Sequence, residues 1–93
     1  MRLAGRPVLE AFVLRHAEAR PWISAWLEEI EASSWDTSHE LKDRYPSASI
    51  LADRIVIFNV KGNKFRLETR VSYQNKIVQV IWAGTHAEYS KRS

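Results

Sequence analysis

The chain has 93 residues with a net charge of +3, 45% hydrophobic residues and no cysteine. This length favours a single domain over residues 1–93, and the composition excludes a disordered chain, a disulfide framework and a thiolate metal site. No stretch approaches the ~18 apolar residues of a membrane span, and Glu10 and Arg15 interrupt the apolar residues near the N-terminus, so we expect a cytoplasmic protein without a signal peptide or a membrane contact.

The first third of the sequence predicts a helix hairpin. Residues 2–4 could begin a strand. Pro7 and Pro21 each suit the first turn of a helix, where the missing N–H costs nothing, and the hairpin breaks around residues 19–20. Helical spacing gives one apolar stripe of Val8, Leu9, Phe12, Val13 and Ala17 and a second of Trp22, Ile23, Trp26, Leu27 and Ile30, with Glu28, Glu29 and Glu31 facing water.

A third, shorter helix follows. Thr37 and Glu40 match a capping box. In this motif a hydroxyl at the helix start accepts from the backbone N–H three residues later, and the carboxylate of that later residue accepts from the N–H of the first. We predict a helix from Ser38 to Arg44 that Pro46 stops.

The second half of the sequence predicts three strands in an antiparallel meander. Residues 55–60 are β-branched and nearly continuous, which is typical of a strand buried on both faces. After a turn at residues 61–63, residues 64–73 alternate between apolar and polar, and a turn at residues 74–75 leads to a strand from Lys76 to Ala83 that Gly84 ends. The polar tail could begin a turn of helix. With the hairpin covering one face of the sheet, the fold class is α+β.

Charge is concentrated on the other face of this sheet. Residues 1–60 hold seven Lys/Arg and nine Asp/Glu, a net charge of −2, whereas residues 61–93 hold seven and two, a net charge of +5. The alternation places Lys64, Arg66 and Arg70 in one row, with ~7 Å between every second residue, close to the spacing of phosphates. The pattern indicates a nucleic-acid contact, although a solvated face would show the same imbalance.

Hairpin pairing should bring Lys64 and Arg66 beside residues 83–86, so that His86 and Tyr89 lie next to the cations. The three histidines have no metal-ligand spacing, so we expect no metal and no cofactor. Cations that hold a phosphate, with an imidazole and a phenol that move protons, suit metal-free cleavage of RNA, which supplies its own 2′-hydroxyl nucleophile.

Two motifs then carry a family resemblance. The run Phe58–Leu67 (FNVKGNKFRL) and the run Gly84–Tyr89 (GTHAEY) resemble the HigB family of bacterial toxins, as do the pair Trp35-Asp36 and the segment Arg44–Ala48. The resemblance implies a RelE-like fold and an endoribonuclease that cleaves mRNA, typically on the translating ribosome. It also implies a HigA-type helix-turn-helix antitoxin as partner, with DNA contacted only through the toxin–antitoxin complex.

Carried over by position, the resemblance implies that Lys64, Arg66, His86 and Tyr89 are catalytic; which of the last two is acid and which is base stays open. We expect Lys61, Asn63, Arg70, Lys76 and Lys91 to contact RNA. The chain departs from the family pattern at Ser90, where an Asp often stands, and at Lys61, where many members have an uncharged residue. The alternative is a non-catalytic RNA- or ribosome-binding module with the same fold, which would need the cations but not the His86–Tyr89 pair.

Overall fold

The computed structural model describes residues 1–92 and has the α+β architecture that the sequence predicts. The elements in chain order are β1 (Arg2–Ala4), α1 (Arg6–Arg15), a 3-10 turn (Ala17–Ala19), α2 (Arg20–Ala32), α3 (Ser38–Arg44), β2 (Ser49–Ile50), β3 (Ile55–Val60), β4 (Phe65–Ser72), β5 (Ile77–Thr85) and α4 (His86–Arg92). No helix within residues 1–92 is long and apolar enough to cross a membrane.

The sheet has five strands in the order β1-β5-β4-β3-β2. The predicted meander is confirmed, because β3, β4 and β5 pair antiparallel in sequence order. The short edge strand β2 pairs antiparallel with β3, and β1 pairs parallel with β5, so the sheet is mainly antiparallel.

Helices α1 and α2 cover one face of the sheet, as predicted. Their buried side chains interlock with the strands by edge-on aromatic contacts, with ring centroids 5.3 Å apart for Phe12 and Phe65 and 5.4 Å apart for Trp26 and Phe58. Each ring buries a large apolar area, so these contacts dominate the core.

The predicted α2 stripe is only partly correct. Ile23, Trp26 and Ile30 are buried, but Trp22 and Leu27 are half-buried. Glu29 was predicted to face water, but it is half-buried. Its carboxylate accepts a hydrogen bond from the Tyr45 hydroxyl at 2.7 Å.

The alternation along β4 is confirmed, whereas the ends of β5 differ from the prediction. Phe65, Leu67, Thr69 and Val71 are buried against the helices. Lys76 lies in the preceding turn with φ of 57°, so β5 begins one residue later than predicted. Gly84 does not end the strand, because its pairing with Arg66 carries the ladder on to Thr85.

Candidate active site where β5 enters α4

The backbone brings the start of β4 beside the start of α4. Phe65 pairs with Thr85 and Arg66 with Gly84 across the two strands. The backbone N–H of His86 then donates to the carbonyl of Lys64 at 3.1 Å. The predicted convergence of residues 64–66 with residues 83–86 is therefore confirmed.

A capping box fixes the first turn of α4. The Glu88 carboxylate accepts from the Thr85 N–H at 2.8 Å, and the Thr85 hydroxyl accepts from the Glu88 N–H at 3.1 Å. The donating Thr85 N–H, followed by the Thr85 hydroxyl, lowers the pKa of Glu88. Sequence reasoning missed these two residues, although Thr85-His86-Ala87-Glu88 has the same signature as Thr37–Glu40.

Three contacts hold α4 against the sheet face that the other helices leave open. The Tyr89 ring packs on the Trp82 ring at a centroid distance of 6.0 Å. The Arg92 guanidinium lies 4.5 Å above the Trp82 ring and forms an ion pair with Glu68. A Cβ at Gly84 would lie 2.7 Å from that ring, so glycine allows the indole to lie flat over the strand.

Arg66 projects from β4 on the same face as Glu68 and is half-buried. Its guanidinium donates to two backbone carbonyls, that of Phe65 at 3.3 Å and that of Asn63 at 3.5 Å. It forms no ion pair with a carboxylate of residues 1–92. Most of the guanidinium N–H groups of Arg66 can therefore donate hydrogen bonds to an incoming anion.

Lys64 does not continue the row of Arg66, contrary to the strand alternation in the sequence. It lies in the turn before β4, and its ammonium group pairs with the Glu18 carboxylate at 2.6 Å. Lys64 lowers the pKa of Glu18, with smaller contributions from the charges of Lys61 and His16. The predicted row is therefore interrupted, and its first cation lies at the rim of the sheet beside the helix layer.

The predicted RNA-contacting residues fall into two groups. Lys61 and Asn63 lie exposed in the turn before β4, and Arg70 and Lys91 are exposed farther along β4 and on α4. Lys76 lies beyond the other end of β4, roughly 20 Å from Arg66 at ~3.4 Å per residue. Its ammonium group donates to the Trp35 carbonyl at 2.8 Å and pairs with Asp36, so the structure does not bring it to the others.

A second histidine lies under the same edge. The His16 ring packs 5.0 Å from the Phe65 ring and 5.4 Å from the Phe12 ring. Its charge also acts on Glu18 and Glu88. No linear motif places His16 here, because the contact depends on how the end of α1 packs on the first residue of β4.

The described residues offer no metal centre: within residues 1–92, no group of three or more His, Cys, Asp or Glu side chains lies where it could hold a metal ion. The side chains at this edge are cations, the imidazoles of His86 and His16 and the phenol of Tyr89.

Comparison with known protein families identifies a matching family. The family model HigB_toxin, described as the RelE-like toxic component of a toxin–antitoxin system, matches residues 19–92. That span contains α2, the whole β3–β5 meander and α4. No curated protein matches the chain. The matched span covers most of the sequence, including β4, β5 and α4, and the chain therefore belongs to the HigB toxin family, the RelE-like toxic components of toxin–antitoxin systems.

Proposed function

We propose that the protein is a metal-independent endoribonuclease that cleaves mRNA on the translating ribosome in the cytoplasm and is neutralised by a HigA-type antitoxin. Membership of a toxin family supports an antitoxin partner and a toxic activity. The observation that carries the nuclease proposal is the hydrogen bond from the His86 N–H to Lys64, because it holds an imidazole-bearing helix beside two phosphate-binding side chains.

The proposed reaction uses the RNA's own nucleophile. The 2′-hydroxyl attacks the adjacent phosphorus and loses its proton to one of His86 and Tyr89, while the other donates a proton to the departing 5′-oxygen. Arg66, which has no carboxylate partner among residues 1–92, stabilises the negative charge that builds on the phosphoryl oxygens, with Lys64 beside it. The products are a 2′,3′-cyclic phosphate, which water can later open, and a 5′-hydroxyl.

Lys64 must exchange partners to take part. Its ammonium group is held by Glu18 in the free protein, and both side chains are about half exposed. An exposed pair of this kind is worth little, so a phosphate group can replace the carboxylate. The proposed role of Lys64 is therefore to bind RNA after releasing Glu18.

The test uses purified ribosomes programmed with a defined mRNA. His86→Ala and Arg66→Ala should each lower the cleavage rate by a factor of ~100 or more, as expected for loss of general acid–base or electrostatic catalysis, with an unchanged circular dichroism spectrum. A 2′-deoxy substitution at the cleaved nucleotide should block wild-type cleavage. Wild-type rates in both variants would overturn the mechanism, and ribosome binding without any cleavage by the wild type would identify a binding module instead.

A further inference from the structure

A cleft of about 390 Å³ opens beside the candidate active site, and we call it the aromatic cleft. It lies between α2, the segment after α3 and the end of β3. Its lining includes Trp22, Ala25 and Trp26 on α2, residues 44–47, Asn59 and Gly62. The volume falls in the range of sites for small molecules and cofactors.

One wall of the cleft is held rigidly. The Tyr45 ring packs edge-on against Phe58 at 5.1 Å and against Trp35 at 6.3 Å. Its hydroxyl donates to Glu29 at 2.7 Å. Burial, followed by this hydrogen bond, raises the pKa of Tyr45, so the phenol stays a neutral donor at physiological pH.

The charge in the cleft is balanced and leaves donors exposed. Arg44 forms an ion pair with Glu29 through Nε, and its guanidinium lies 4.9 Å above the Tyr45 ring. Arg44 lines the cleft and its side chain is 56% exposed, so guanidinium donors other than Nε are open to an incoming ligand. Aromatic walls beside a guanidinium fork suit a flat ring with acceptor atoms, because the ring stacks while the fork reads its edge.

Strand pairing places the cleft next to Arg66 of the candidate active site. Asn59 lies directly opposite Arg66 on the neighbouring strand, and the Cα atoms of directly opposite residues are only ~5 Å apart. Gly62 belongs to the same turn as Lys61 and Asn63. The cleft therefore adjoins the position at which Arg66 would hold a phosphate.

We propose that the aromatic cleft is a nucleobase subsite that binds one base of the RNA next to the cleaved bond. The subsite rests on the proposed nuclease function and adds a source of base preference to it. A phosphate next to that base would meet the exposed cation Lys61, which complements its charge.

Two variants test the subsite while keeping the fold. Ala25→Phe fills the cleft from an exposed position on α2, and Trp22→Leu removes an aromatic wall but keeps an apolar side chain against the core. Ser24→Phe is the matched control, because Ser24 is exposed on the same helix and does not line the cleft. Thermal unfolding of all three shows whether each variant is folded.

The first readout is kcat/KM on ribosomes for mRNAs that differ only in the bases flanking the cleaved bond. The wild type and Ser24→Phe should share one base preference, whereas Ala25→Phe and Trp22→Leu should lose that preference and lower kcat/KM about 10-fold, the size expected for one stacked base. Unchanged preference and kcat/KM in both cleft variants would overturn the subsite.

The second readout does not depend on cleavage. Single-stranded RNA carrying 2-aminopurine should lose fluorescence on binding the wild type and keep it with Ala25→Phe. That result supports the subsite even if the wild type cuts nothing, which would overturn only the nuclease proposal. If Ala25→Phe binds RNA normally but no longer binds the antitoxin, the cleft is a protein-docking site and the subsite is refuted.

Discussion

The replacement Thr85→Ala tests whether the capping box of α4 positions the candidate catalytic helix. It removes the hydroxyl that accepts the Glu88 N–H at 3.1 Å and leaves the side chains of His86 and Tyr89 intact. A lost threonine cap costs about 1 kcal/mol, which is roughly a fivefold change in an equilibrium constant. Helix α4 has seven residues and none of them is buried, so we expect this change to appear as local undocking.

The assay compares local and global stability. Hydrogen exchange of the α4 amides should speed up by about fivefold in Thr85→Ala, and kcat/KM for mRNA cleavage should fall by up to the same factor. Thr85→Ser, which keeps a capping hydroxyl, should restore both. The midpoint of thermal unfolding should move only slightly, because the core does not depend on α4.

Thr37→Ala is the matched control, since it removes the same kind of cap from α3, where the Thr37 hydroxyl accepts from the Glu40 N–H at 3.3 Å. Helix α3 carries the fully buried Leu41, so its stability is coupled to that of the core. Loss of the Thr37 cap, at about 1 kcal/mol, should therefore lower the midpoint of thermal unfolding by about 4–8 °C and leave cleavage per folded molecule unchanged. Equal loss of activity in both variants, or unchanged exchange in α4 of Thr85→Ala, would refute the reasoning.

Three further predictions concern charged residues. Because the pKa of Glu88 is lowered, its contribution to α4 docking is complete above the usual value of 4.5 and disappears as the pH falls through the lowered pKa. The protection factors of the α4 amides, which are corrected for the intrinsic pH dependence of exchange, should therefore fall below pH 4.5 in the wild type, with no such step in Glu88→Gln. Glu18→Gln frees Lys64 for a phosphate, so binding of single-stranded RNA should tighten at low salt and its log–log salt slope should steepen by about 0.7; an unchanged slope would contradict this. Lys76→Met should reduce thermal stability through loss of the contacts with Trp35 and Asp36, while RNA affinity stays at the wild-type value.

The sequence predicted the elements whose cause is local. The capping box from Thr37 to Glu40 and the stop at Pro46 correctly predicted both ends of α3. The alternation of apolar and polar residues correctly predicted the buried face of β4. The short strand β2 was not predicted, because the turn to β3 uses Asp53 and Arg54 at φ of 59° and 64° without a glycine to signal it. Two exposed residues such as Ser49 and Ile50 carry no strand pattern of their own.

The site was predictable only as far as strand pairing determines it. Pairing of β4 with β5 places Arg66 opposite Gly84, and a hairpin turn in the sequence is enough to infer that. The partner of Lys64 was not predictable, since Glu18 lies 46 residues earlier and reaches it only through packing of the helix layer on the sheet. The same holds for His16 and for the aromatic cleft, which unite residues from distant parts of the chain.

The structure also changes what the charge imbalance means. Of the seven cations after residue 60, Lys64, Lys76 and Arg92 already pair with carboxylates of the protein. The other four, Lys61, Arg66, Arg70 and Lys91, form no ion pair within residues 1–92. If each of these four neutralises one phosphate of a single-stranded RNA, the salt slope is about −3, whereas seven contacts would give about −5. The relevant quantity for RNA binding is therefore the number of cations without an internal partner, and the internal pairs, above all Lys64 with Glu18, determine how far that number can rise.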